Sequence, residues 1–141
     1  MKAQQDVIRR AGLKITMPRI QVLQCLQHNQ ENGAHLTAEG IYHFIFQHGD
    51  AVSQAAVYRV LSQFEEAGLV RRHHFATNRM QAVYELTQGA THNHIVCLDS
   101  GLILDFTDNT LNQKADEIAA ARGYDLVNRE FVLYVRSKGG A

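Results

Sequence analysis

Residues 53–75, SQAAVYRVLSQFEEAGLVRRHHF, decide the fold. Ser53 is a helix-capping residue, and Val57, Val60, Leu61 and Phe64 follow it at the three- and four-residue spacing of one buried helical stripe. Gly68 is placed to stop that helix, because a helix C-terminus favours a residue that accepts left-handed backbone. Beyond it the period changes. LVRRHHF, a polar turn at residues 76–79 and MQAVYEL read as the two strands of a hairpin. The side of the helix opposite the stripe presents Ala55, Tyr58, Arg59 and Ser62, a small, aromatic, cationic and polar mixture suited to a DNA groove. The forked guanidinium of Arg59 matches a guanine edge or a phosphate. Taken alone, this is an ordinary amphipathic helix with an arginine on its outer face. Helices followed by a basic hairpin, however, is the order in which helix-turn-helix variants present a recognition helix with flanking phosphate contacts, and the hairpin is then the wing of a winged helix.

Upstream, three more helices are expected. Residues 1–11 stop at Gly12; Thr16 caps a segment with Pro18 in its first turn and Ile20, Val22, Leu23 and Leu26 along it; Thr37 caps a third through Ile41, Phe44 and Ile45, ending near Gly49. Downstream, HNHIVCL and LILDF flank a short turn around Asp99, Ser100 and Gly101. Thr107 or Asp108 caps a helix ending at Arg122, and a last strand covers residues 130–135. The expected architecture is α+β, with a winged-helix DNA-binding domain at residues 1–86 followed by a small α/β domain at residues 87–141. The hinge is expected at residues 86–91. Neither half buries a large core alone, so an apolar surface is left for the other half or a second copy, and dimerisation is expected.

The net charge is zero, but the average conceals a split. Residues 1–83 carry nine Lys and Arg against six Asp and Glu, while residues 84–141 carry five against eight. A basic half facing an anion is the expectation. Cys25 and Cys97, in IQVLQCLQ and HIVCL, read as buried reduced thiols, with no disulfide framework. No signal-peptide core and no apolar run near the roughly 20 residues of a membrane span is present, so a cytoplasmic protein without a membrane partner is expected.

His92 and His94 lie two apart in an expected strand and project from one face, a usual start for a transition-metal site. An HxH pair is weak evidence in a chain with eight histidines. Glu85 in the preceding strand, Asp105 at the end of the following one and His35 at the opening of the third helix add candidate donors. Hairpin register decides whether Asp105 shares the histidine face. A two-residue turn, or an equivalent bulge, puts it there, and a regular three-residue turn puts it on the other face. The two-residue turn, or an equivalent bulge, is expected.

The stretch AAVYRVLSQFEEAGLVRRHHF, with AGLKITMPRIQVLQCL before it and YELTQGATHNHIVCLDSGLILDF after it, resembles the ferric uptake regulator family over nearly the whole chain. The resemblance implies a dimeric, metal-dependent repressor of metal-homeostasis genes that binds a double-stranded operator. It implies that Tyr58 and Arg59 contact the major groove and that Lys14 reaches a neighbouring minor groove; Ser62 and Arg19 complete the candidate DNA contacts. Ala56 stands where the family usually has Thr, removing one hydroxyl. The resemblance also implies that His35, Glu85, His92, His94 and Asp105 hold one regulatory divalent ion per subunit. Three nitrogens and two carboxylates suit a five- or six-coordinate Fe(II), Mn(II), Co(II) or Zn(II) ion better than they suit a tetrahedral thiolate zinc. The likeness of the recognition helix and YEL segment to iron regulators implies Fe(II), with Mn(II) or Zn(II) able to bind in vitro.

Two family features do not carry over. Ser100 replaces the second cysteine of the first Cys-x-x-Cys pair and no C-terminal pair follows, so no structural four-cysteine zinc is expected. At the positions of a common accessory site stand Thr91, Asn93, Asn112 and Arg129, a set without an anionic or imidazole ligand. Asp105, where iron regulators usually carry Glu, is a feature of peroxide sensors, whereas Glu85 matches iron regulators. Peroxide, zinc or manganese sensing is therefore the alternative to Fe(II). An enzyme or a small-molecule substrate is not expected, because the chain has neither an HExxH helix nor a nucleophile elbow, and a single modest site disfavours metal storage.

Overall fold

The computed structural model describes residues 2–31, 35–75, 81–87 and 93–140, and the chain forms two units, Met1–Ala90 and Thr91–Ala141. The first contains four helices, α1 (Lys2–Arg10), α2 (Met17–Glu31), α3 (Ala38–Gln47) and α4 (Gln54–Glu66). They are followed by strands β1 (Val70–His73) and β2 (Val83–Leu86), paired antiparallel with Arg71 opposite Glu85 and His73 opposite Val83. The expected turn at residues 76–79, and residues 88–91 of the expected hinge, lie outside the described residues.

Capping sets the helix starts. Thr37 Oγ1 accepts from Gly40 N at 3.0 Å, and Ser53 Oγ accepts from Ala56 N at 3.1 Å. Thr16 Oγ1 accepts from Arg19 N at 3.4 Å at the start of α2. The end of α4 follows from Gly68. At φ +78° it lets Leu69 N donate to Phe64 O at 2.8 Å and its own N donate to Glu65 O at 3.0 Å, which satisfies two carbonyls the helix would otherwise leave open. The four helices bury Ile8, Leu23, Ile41, Val57, Leu61 and Phe64 completely or nearly so. The stripe on α4 thus carries the core, and Tyr58, Arg59 and Ser62 are left exposed.

In the second unit, β3 (Asn93–Cys97) is the centre of a three-stranded sheet. It pairs antiparallel with β4 (Ile103–Asp105) and parallel with β5 (Phe131–Val135), giving the order β4-β3-β5. Helix α5 (Asn109–Ala121) connects β4 to β5, as parallel pairing requires a crossover, and Asp108 caps it by accepting from Leu111 N at 3.0 Å. The β3–β4 register is the even one, with His94 opposite Asp105. The turn is wider than two residues, however. Cys97 N donates to Leu102 O at 2.9 Å and Gly101 N to Cys97 O at 2.8 Å, so residues 98–101 form a four-residue loop closed by Gly101 at φ +75°. Two extra residues leave the parity, and hence the face of Asp105, unchanged.

The second unit is poorly cored by itself. Val96 is its one buried apolar residue among those described, and α5 buries none. Leu104, Ile95 and Leu133 stand in one row across the sheet by strand register, and Leu104 and Leu133 are each about half exposed. No helix among the described residues is long and apolar enough to cross a membrane.

Candidate metal centre and nucleic-acid interface

In the first unit, the backbone brings His35 to Glu85. Tyr84 N donates to Leu36 O at 2.8 Å, an isolated bridge that lays the segment before α3 along β2. His35 therefore lies ahead of the Thr37 cap, not inside α3. Its Nε2 stands 3.3 Å from Glu85 Oε2, with both side chains nearly excluded from solvent. A buried carboxylate is costly unless it meets hydrogen-bond donors or a cation, so this pairing is a structural commitment.

The same carboxylate has a second imidazole that the sequence reading missed. His73, on β1, places Nε2 2.6 Å from Glu85 Oε1, and its ring stacks on Phe75 at 5.2 Å with planes 10° apart. His73 opposes Val83, two residues from Glu85, so the contact is the diagonal one across a strand pair. Strand alternation offered a signal, since His73 falls on the face of the buried Phe75.

In the second unit, His94 is fully buried, and its Nε2 lies 3.4 Å from Asp105 Oδ1. The register described above produces this pair directly. His92 lies outside the described residues, as does Thr91 of the accessory position. At that position Asn93 is buried and its Nδ2 donates to Asn112 Oδ1 at 3.2 Å, so a neutral amide pair links β3 to α5.

The two cysteines differ sharply. Cys25 is buried in the first unit's core, and burial pushes its thiol up to about 12, partly offset by a hydrogen bond from Asn29. Cys97, expected to be buried, is half-buried at the end of β3 beside the turn. Hydrogen bonding with the Ser100 side chain, then with the Ser100 and Asp99 backbone, draws its thiol down to about 7. Alkylation of Cys97 by iodoacetamide is therefore expected to rise with pH through a midpoint near 7, while native Cys25 stays unmodified. Ser100→Ala should move that midpoint upward, and an unmoved midpoint contradicts the hydrogen-bond origin.

On the outer side of α4, Ala55, Tyr58, Arg59 and Ser62 are all exposed, with Tyr58 at 55%. Lys14 is exposed in the segment between α1 and α2, flanked by the partly buried Leu13 and Ile15. In the hairpin, Arg72 Nε is 3.5 Å from Glu65 Oε2. Arg19 is differently engaged. Its Nε and Nη2 donate to Gln63 Oε1 at 3.3 and 2.9 Å, and its Nη1 donates to Lys14 O at 2.7 Å. Arg19 is thus bonded to α4 and to the Lys14 backbone.

Known proteins share this sequence pattern and fold. The sequence profile of the Ferric uptake regulator family matches residues 10–134. The ferric uptake regulation protein of Pseudomonas aeruginosa is 44% identical over 131 residues, covering 93% of this chain and 95% of its own. A solved structure of the Pseudomonas aeruginosa ferric uptake regulator with manganese superposes at a TM-score of 0.84 with 42% identity, covering 96% of this chain and 98% of its own. The ferric uptake regulator from Francisella tularensis with iron gives 0.75 at 30% identity, covering 92% and 95%. With a profile spanning nearly the whole sequence and relatives of almost equal length, the chain belongs to the ferric uptake regulator family.

Proposed function

We propose that this protein is a metal-dependent transcriptional repressor that binds operator DNA as a homodimer and controls metal-homeostasis genes. The observation that carries this reading is the pair of histidine–carboxylate contacts, His35 with Glu85 and His94 with Asp105, one supplied by each unit. Donor atoms about 2.1 Å from one ion and at right angles to each other stand about 3.0 Å apart, close to both separations. The mixed imidazole and carboxylate chemistry fits a divalent first-row ion. His35, Glu85, His92, His94 and Asp105 are the proposed ligands of one regulatory ion per subunit, with Fe(II) favoured and no structural four-cysteine zinc. Relatives solved with manganese and with iron support a divalent ion.

Bound there, the ion would supply positive charge that offsets two carboxylates. Each ligand's role is to hold its own unit to that charge. The chain gains differential metal affinity only in the arrangement that engages both pairs, so metal shifts the population toward it. Residues 1–86 are the proposed DNA-binding domain and residues 87–141 the dimerisation domain. A second copy of this chain is the proposed cover for the row Leu104, Ile95 and Leu133, because a unit with one buried apolar residue among those described has too little core of its own.

The test is selection from a random duplex pool, with Mn(II) and with chelator. Enrichment of one sequence only with Mn(II) is the expected result, and no enrichment in either arm refutes the reading. Arg59→Ala should weaken binding to the selected duplex by about 1–3 kcal/mol while leaving dimerisation and melting temperature unchanged, since the side chain is exposed. A lowered melting temperature would instead mark a structural role. Exhaustive chelation should leave the protein folded and dimeric, since no thiolate cluster links folding to metal. Loss of its helical circular dichroism on chelation would refute that.

Peroxide sensing is the second reading, favoured by Asp in place of Glu at position 105. It predicts oxygen added to His92 or His94 when the Fe(II) form meets hydrogen peroxide.

A further inference from the structure

We propose that Arg19 is a positioning residue that ties the Lys14 segment to the recognition helix, so that both DNA-contacting elements meet the duplex in one register. This rests on the assignment of Lys14, Tyr58 and Arg59 as DNA contacts, and replaces the expectation that Arg19 itself touches DNA.

Three of the five N–H donors of the guanidinium are engaged inside the protein. Nε and Nη2 chelate the single oxygen Oε1 of Gln63, and Nη1 donates to the carbonyl of Lys14, the shortest of the three bonds at 2.7 Å. A rigid planar fork with three such bonds has one orientation, unlike a lysine ammonium on a flexible stem. The base of the side chain is held as well, because Arg19 N is bonded to Thr16 Oγ1 at the start of α2.

Both partners lie next to proposed DNA contacts. Gln63 is one helical turn beyond Arg59 on α4 and is half-buried beside it, whereas Arg59 is exposed. Lys14 offers Arg19 its carbonyl while its own side chain is exposed. The segment from Leu13 to Thr16 lies outside helix and strand. It is held by Leu13 N to Ile8 O at 3.1 Å, by Leu13 and Ile15 packing on the core, and by Arg19. Of these hydrogen bonds, those of Arg19 carry the connection on to α4.

Salt dependence separates positioning from contact. Each phosphate contact removed lowers the slope of log affinity against log salt by about 0.9, whereas lost positioning weakens binding at every salt concentration. The experiment uses the full chain with Mn(II) and the duplex selected by the wild-type protein. Arg19→Gln and Gln63→Ala should each weaken binding about tenfold, the scale of a lost charge-assisted hydrogen bond, with the wild-type slope retained. Their double variant should be no weaker than the worse single. Lys14→Ala, as the contact control, should lower the slope. Gln63 carries no charge, so Gln63→Ala keeps the test decisive if Arg19→Gln lowers stability. Wild-type affinity in Gln63→Ala, or a slope lowered by about one unit in Arg19→Gln, overturns the proposal. A wild-type protein that selects no duplex refutes the functional reading instead.

Discussion

His94→Ala and Asp105→Ala are each expected to abolish metal-dependent DNA binding, while the four-helix unit stays folded. The switch is a shift of populations. Moving a two-state equilibrium from about 1:99 to 99:1 requires roughly 10⁴-fold differential affinity, about 5.5 kcal/mol, which a site missing one of its donors does not supply. His94 is fully buried on the central strand, so its removal also leaves a void in a unit with little core. Asp105, exposed at the end of β4, has no such packing role. Agreement between the two variants therefore assigns the effect to ligation. Metal titration followed by DNA-binding anisotropy is the measurement, and wild-type metal dependence in both variants would place the regulatory ion elsewhere.

Phe64→Ala carries the largest expected loss of stability. Phe64 is fully buried at the end of the α4 stripe, and truncation of a buried phenylalanine costs about 3–5 kcal/mol. Against a domain stability of about 5–15 kcal/mol, that leaves the four-helix unit marginal. Urea denaturation followed by circular dichroism should show the midpoint falling steeply. A change below about 1 kcal/mol would mean that Phe64 is not in the core.

The helices were legible because each carries its own local instructions: Thr37 and Ser53 at the caps, Gly68 at the stop, and Val57, Val60, Leu61 and Phe64 at helical period. The β3–β4 register was legible for a different reason, since strand parity depends only on whether the turn is even. The turn's actual length was not, because a four-residue loop ending in a left-handed glycine preserves the same pairing as a two-residue one.

What sequence missed depends on chain segments far apart or on surfaces left uncovered. Arg19 finds Gln63 across 44 residues, a partnership that no local pattern records. His73 meets Glu85 only because β1 and β2 pair in one particular register, although its place on the face of Phe75 was readable. Cys97 was expected to be buried from its apolar neighbours. It is half-buried because the described residues of its own unit leave the row of Ile95, Leu104 and Leu133 beside it uncovered.

In the proposed mechanism, occupation of one metal site per subunit switches on specific DNA binding. Its most direct test is an anaerobic titration of the metal-free protein with Fe(II), followed by anisotropy of the labelled selected duplex, with Mn(II) and Zn(II) in parallel. The expected result is negligible specific binding without metal and saturation at one Fe(II) per subunit, reversed by chelator. Full-affinity binding by the exhaustively chelated protein would contradict the claim.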